Sequence, residues 1–383
     1  MVSRTSAAAV LELRQVTKQY RSGGPVAVDG LSFTVPAGAV CVLVGPSGCG
    51  KTTALKMINR LIEPTSGEIL LDGASVRGRK LADLRRSIGY VIQQVGLMPH
   101  LTIGANIAMV PKLLGWERDT IAARANELLT LIGLNPEEYA GRYPAELSGG
   151  QQQRVGLARA LAADPPLMLM DEPFSAVDPV TRERLQNDFL RLQRAVAKTV
   201  VFVTHDIDEA VKMADFVAVM RDGRLVQFAS PTALLANPVD EFVADFVGTD
   251  RALKSLSLRR LEEVALIDAP TVHVGEPVER IHARIADGSL TPLDGSVIVT
   301  DFRRRPLDWI TIDRIDGLER VPEVTPGGAE PLLDVVSSLR DALSLLFESG
   351  SRYGAVVGAE GALLGLFGVE QIASAIRPAE AVR

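Results

Sequence analysis

An α/β fold with a parallel core sheet, an antiparallel edge sheet and a helical insertion, followed by a separate α+β domain, is what the sequence predicts. Three observations predict it. Short runs at 39–44, 167–170, 199–204 and 216–220 are apolar on both faces, as strands of a buried parallel sheet are. The first leads through the glycine-rich string GPSGCGKT (45–52) into the helix-like ALKMINRLI (54–62). After residue 256 the chain repeats a helix, strand, turn, strand, helix pattern that is too regularly apolar to be a tail.

In chain order, residues 11–34 alternate polar and apolar, the signature of an antiparallel edge sheet. Strand, glycine loop and helix at 39–62 fit G-x-x-x-x-G-K-[ST], the phosphate-binding loop of a P-loop NTPase. Gly45, Gly48 and Gly50 let backbone N–H groups turn inward as an anion nest, and the following helix aims its positive end at the same place. Lys51 is placed to reach β and γ phosphates and Thr52 to ligate Mg²⁺. Cys49 occupies a free position of the motif and reads as a tolerated small residue. From about 98 to 163 the pattern turns helical, including TIAARANELLTLIG, before the core resumes at LMLMDEP (167–173). Asp171 ends that strand, where a carboxylate can hold Mg²⁺ through water, and Glu172 is placed to orient or deprotonate an attacking water. By itself an Asp-Glu pair is more simply a solvated turn; the strand before it and the phosphate loop upstream favour the functional reading.

The string LSGGQ (147–151) narrows the class. Ser148 and the bare amides of Gly149 and Gly150 open a helix, as an N-cap and as an anion site. With it, residues 1–247 resemble the ATP-binding cassette of ABC transporters. That resemblance implies a head-to-tail pair in which the signature of one copy covers the γ phosphate bound to the other. It places ATP contacts at Gly45, Pro46, Ser47, Gly48, Cys49, Gly50, Lys51, Thr52 and Thr53, and across the interface at Ser148, Gly149, Gly150 and Gln151. It matches Tyr20 to an adenine-stacking aromatic, although a lone tyrosine is more often packing. Gln93 matches a glutamine that touches Mg²⁺ and water, and His205 a histidine at the γ phosphate. Ser175, Ala176, Val177 and Asp178 match the segment that crosses the dimer interface, with Val177 where leucine is usual.

Composition points to a soluble intracellular chain of two or three domains. Among 383 residues there are two cysteines, Cys41 and Cys49, which argues against a disulfide framework. No apolar run approaches the about 20 residues of a membrane helix, and the N-terminus has no secretory pattern. Any pore must then be another polypeptide. The net charge of −6 argues against a nucleic-acid partner.

A linker is expected at 248–255. Beyond it, 256–383 resembles a tandem of CBS modules, a regulatory domain. The positions that often contact an adenosine ribose in that family are Thr311 and Arg314 in the first unit and Gly368 and Gln371 in the second, so neither unit keeps the expected hydroxyl with an acid three residues on. The turn Arg303, Arg304, Arg305 reads as a solvated hairpin tip, with an anion or lipid headgroup contact as the other reading.

KMINRLIEPTSG (56–67), GYVIQQVGLMPHLTI (89–103) and FVGTDRALKSLSL (246–258) resemble the ATPase subunits of importers for glycine betaine, proline, carnitine or choline. This implies osmoprotectant uptake with a separate permease and substrate-binding protein at the cytoplasmic face of the membrane. It also implies regulation through the C-terminal domain by ionic strength or a cyclic dinucleotide. Two other readings stay open at this level: an importer ATPase for another solute, such as sugars or methionine, with a different C-terminal fold, and a soluble ABC-type ATPase. The single phosphate loop and the absence of a sustained heptad run speak against the second.

Overall fold

The structure is a computed structural model that describes residues 9–92, 96–175, 177–324 and 327–376. It divides into two compact units, 1–248 and 249–383.

The first unit is built on a six-stranded sheet in the order Arg224–Ala229, Phe216–Arg221, Val40–Val44, Thr199–Val203, Leu167–Asp171, Ile88–Val91. All neighbours are parallel except the first pair. Val40–Val44 and Thr199–Val203 are buried at every residue, because helices cover both faces of a parallel sheet. Parallel pairing brings the carboxyl ends of these strands to one edge, and Asp171 lies opposite Val203 there. A second, antiparallel sheet joins Val26–Pro36, Ala9–Gln19, Ser66–Leu71 and Ala74–Ser75. Its Leu11, Leu13 and Leu31 pack in one apolar cluster with Leu43 of the core sheet and with Leu55 and Ile58 of the helix Lys51–Ile58. The expected helical insertion contains Arg118–Leu131 and Gly149–Leu161, linked by shorter helices. Among the described residues no helix is long and apolar enough to cross a membrane.

The second unit holds two copies of one arrangement. Thr271–His273 pairs in parallel with Ser296–Thr300, which pairs antiparallel with Pro306–Thr311. Leu332–Asp334, Tyr353–Val357 and Leu363–Gly368 repeat the same order and directions. Helices Val278–Ala286 and Leu339–Ser349 connect the parallel strands, and Ile298, Ala355, Leu363 and Leu366 form a buried cluster drawn from both sheets.

The division between the units falls at 248/249, at the start of the segment expected as a linker. Residues 251–258 form a helix, where 248–255 reads as a linker. Its Leu256 is fully buried with Leu339 and Leu346, and the carbonyl of Arg259 after it accepts from the Leu339 N–H at 2.9 Å. The segment is polar in composition because only one face is covered. The basic turn is organised by Asp301, which accepts from the N–H groups of Arg303 and Arg305 at 2.8 Å each and pairs with the Arg305 guanidinium at 2.8 Å. Those hydrogen bonds hold the Asp301 carboxyl below its usual range.

Candidate functional site

The phosphate loop follows the strand Val40–Val44 directly. Gly45, Gly48 and Gly50 take φ of 150°, 80° and 100°, the region an L side chain avoids. Gly45 and Gly50 also lack room: a Cβ on the first would collide with the Met220 carbonyl oxygen, and on the second with that of Ala27. Lys51 is buried, and its Nζ donates to the carbonyls of Gly45 at 2.6 Å and Pro46 at 2.9 Å, so the ammonium is held over the loop. The helix behind it has no acidic residue in its first turn to oppose an anion. Cys49 is buried with its Sγ 3.7 Å from Lys51 Nζ.

Thr52 and Asp171, far apart in sequence, meet at the sheet edge: Thr52 Oγ1 donates to Asp171 Oδ1 at 3.0 Å. Burial pushes the Asp171 carboxyl up, and the Thr52 hydrogen bond and the charges of Lys56 and Lys51 oppose that. A hydroxyl beside a carboxylate is a hard-oxygen pair that fits Mg²⁺, which takes one or two protein oxygens and completes its shell with water and phosphate. Among the described residues no group of three His, Cys, Asp or Glu side chains could hold a metal ion without such help.

Glu172 takes φ 45°, an unfavourable conformation for an L residue that costs about 1–3 kcal/mol and is tolerated where a site needs it. Its N–H donates to the Val203 carbonyl at 3.0 Å, and its carbonyl accepts from Ser175 Oγ at 3.0 Å. His205, after the neighbouring strand, brings Nδ1 to 3.5 Å from Glu172 Oε1. The histidine side chain is 61 % exposed and the glutamate 24 %, so both reach solvent. Tyr20, 59 % exposed, reaches the start of the phosphate helix with its hydroxyl 3.3 Å from Thr53 Oγ1, and the Lys18 ammonium lies over its ring at 5.2 Å from the centre.

The signature residues are ordered among themselves. Ser148 caps the helix Gly149–Leu161 in a reciprocal box with Gln151, at 3.3 Å and 2.9 Å. Gln151 Nε2 donates to the Tyr139 hydroxyl at 3.1 Å, and nothing lies within 4 Å of a Cβ built on Gly149. Asp178 caps the helix Pro179–Val196 by accepting from the Thr181 N–H at 3.0 Å, and hydrogen bonding from Thr181 lowers its carboxyl from the usual range. Gln93 and Ala176 lie outside the described residues. The structure therefore brings together Lys51, Thr52, Asp171, Glu172 and His205, with Tyr20 beside Thr53. Sequence reasoning passes over Thr204, Glu209 and Gln186, a buried polar group just behind His205.

Residues 28–175 match the ABC transporter family. The chain is 44 % identical over 375 residues, 95 % of each chain, to the osmoprotectant import ATP-binding protein OsmV of Salmonella typhimurium. It is 42 % identical over 361 residues, 93 % of each, to the glycine betaine/carnitine/choline transport ATP-binding protein OpuCA of Bacillus subtilis. Among solved structures, cbiO1 of Clostridium perfringens, part of an ABC transporter complex, aligns with a TM-score of 0.57 at 25 % identity, covering 66 % of this chain and 96 % of that one. The dimeric ATP-binding cassette MJ0796 with ADP and phosphate aligns with a TM-score of 0.51 at 35 % identity, covering 58 % and 98 %.

Proposed function

The chain belongs to the ATP-binding subunits of ABC transporters, and from that premise we propose that it powers import of quaternary-amine osmoprotectants such as glycine betaine, carnitine and choline. It is an ATPase whose hydrolysis is coupled to solute transport. The catalytic reading rests on one observation, the convergence of Lys51, Thr52, Asp171, Glu172 and His205 at a single sheet edge.

In the proposed reaction Lys51 and the loop amides hold the β and γ phosphates, and Tyr20 covers the adenine. Bound Mg²⁺, held by Thr52 and through water by Asp171, would neutralise phosphate charge. Glu172 accepts a proton from the attacking water as its oxygen bonds to the γ phosphorus, and the β–γ bridging oxygen leaves with ADP. His205 steadies the γ phosphate beside Glu172. Ser148, Gly149, Gly150 and Gln151 of a second, head-to-tail copy close the site. Closure then works on the permease, since a ligand shifts an equilibrium only by its difference in affinity for the two states. A cavity of about 280 Å³ between core sheet and helical insertion, lined by Val91, Leu131, Leu157, Phe174 and Phe189 among others, supports docking of a membrane partner there. This would hold the chain at the cytoplasmic face of the membrane, with a substrate-binding protein delivering solute on the far side.

The osmoprotectant reading is supported by relatives that align over both units and by the make-up of the second unit, two α+β repeats in place of a barrel. That repeat is also what favours a tandem CBS regulatory domain. At the positions expected to hold a ribose, neither unit offers an acid. Arg314 stands there in the first, and in the second Gln371 accepts from the Gly368 N–H at 3.0 Å, which favours sensing without an adenosine ligand. The test is ATPase activity of the assembled transporter in vesicles. Glycine betaine, carnitine or choline with the binding protein should raise the rate, and a sugar or methionine should not. A chain truncated after Asp250 should keep the rate and lose its dependence on salt. Stimulation by the sugar or methionine alone would overturn the solute assignment.

A further inference from the structure

His205 stands between two residues whose hydrogen bonds fix the backbone on either side of it. Thr204 is buried, and its N–H donates to the Leu43 carbonyl of the phosphate-loop strand at 3.1 Å. Its hydroxyl accepts from the Asp206 N–H at 3.1 Å and donates to Glu209 Oε2 at 2.7 Å. Asp206 in turn caps the helix Ile207–Met213, which carries Glu209, by accepting from the N–H groups of Asp208 at 2.8 Å and Glu209 at 3.3 Å.

Glu209 is 6 % exposed, and its other oxygen accepts from Nε2 of the equally buried Gln186 at 3.2 Å. Gln186 lies on the helix Pro179–Val196. One turn earlier on that helix, Arg182 donates to the carbonyls of Phe174 and Val177 at 3.2 Å each, and so holds the turn that follows Glu172. The Glu172 N–H, bonded to the Val203 carbonyl, closes the circuit. The two catalytic candidates are thus joined by a ring of contacts that runs through one buried carboxylate.

A carboxylate in such a place is expensive. Burial pushes the Glu209 carboxyl up, and its hydrogen bonds from Thr204 and Gln186 work against that. Apolar side chains in place of the whole hydrogen-bonded group of Glu209, Thr204 and Gln186 would be nearly neutral in stability, so stability alone does not account for it. His205 itself is mostly exposed and is not gripped by packing; its reach is set by the backbone that Thr204 and Asp206 clamp.

We infer that Glu209, acting through Thr204 and Gln186, is a positioning residue that sets the reach of His205 toward Glu172 and the γ phosphate. This rests on the role proposed for His205. Small errors of placement are costly in rate and leave binding largely intact, because the side-chain contacts of Lys51 with Gly45 and Pro46 and of Tyr20 with Thr53 lie outside this ring.

The test uses the full chain in the assembled transporter, with ATP-binding stoichiometry counted so that rates are per bound nucleotide and misfolded protein drops out. Thr204→Val, which keeps the shape and removes the hydroxyl, should lower kcat roughly 10- to 100-fold with little change in KM for Mg-ATP. Thr204→Ser, which restores the hydroxyl, should recover most of the loss. Adding His205→Ala to Thr204→Val should cost little beyond His205→Ala alone, since both act at one point. Parental kcat in Thr204→Val beside a crippled His205→Ala would overturn the positioning role and leave the catalytic reading standing. Full turnover in His205→Ala would remove the role of His205, and the inference with it.

Discussion

Glu172→Gln is expected to lower ATP turnover roughly 10²- to 10⁴-fold, the range that a positioned general base contributes, while Mg-ATP still binds. The substitution exchanges a carboxylate oxygen for an amide nitrogen at nearly constant volume. The backbone bonds that hold the residue, from its N–H to Val203 and from Ser175 to its carbonyl, do not involve the side chain and survive. What is lost is the capacity to take a proton from water. If, as proposed, closure depends on bound ATP and opening on its hydrolysis, the variant should accumulate as a closed dimer in Mg-ATP, seen by size-exclusion chromatography with light scattering. A variant that stays monomeric and hydrolyses ATP at the parental rate would remove Glu172 from the mechanism.

Lys51→Ala acts a step earlier, on binding. The ammonium is held over the loop by the carbonyls of Gly45 and Pro46, ready for an anion placed there. A hydrogen bond to a charged group contributes about 1.5–3 kcal/mol. Losing contacts to two phosphates should therefore weaken ATP roughly 100-fold or more. The glycine conformations and the helix end remain, so a residual anion site is expected. Titration with a fluorescent ATP analogue measures the change; unaltered affinity would contradict the role given to the loop.

Local strings make most of this site legible. In GPSGCGKT the nest, the lysine and the hydroxyl lie within eight residues, and the chemistry requires that spacing whatever the rest of the fold does. Asp171 and His205 are legible because each follows a short apolar run that reads as a buried strand, and the parallel strands these runs form end at one edge. The link between Glu209 and Gln186 is not. The two are 23 residues apart on different helices, and nothing in the local pattern of either says that they meet. The strands Thr271–His273 and Leu332–Asp334 escape sequence reading for another reason: three residues are too few to show alternation, and parallel pairing with a distant partner makes them strands. Residues 251–255, the first part of the helix 251–258, read as linker because Leu253 is exposed and the fully buried Leu256 lies beyond them, which leaves a largely polar string.

If hydrolysis at this site drives solute inward, labelled glycine betaine should accumulate in vesicles that carry the permease and this chain, with the binding protein on the solute side and Mg-ATP on the side of the ATPase. Uptake against a gradient is expected, and it should need ATP and disappear with Glu172→Gln. Equal accumulation without ATP, or with the Glu172→Gln chain, would show that this site does not power the transport.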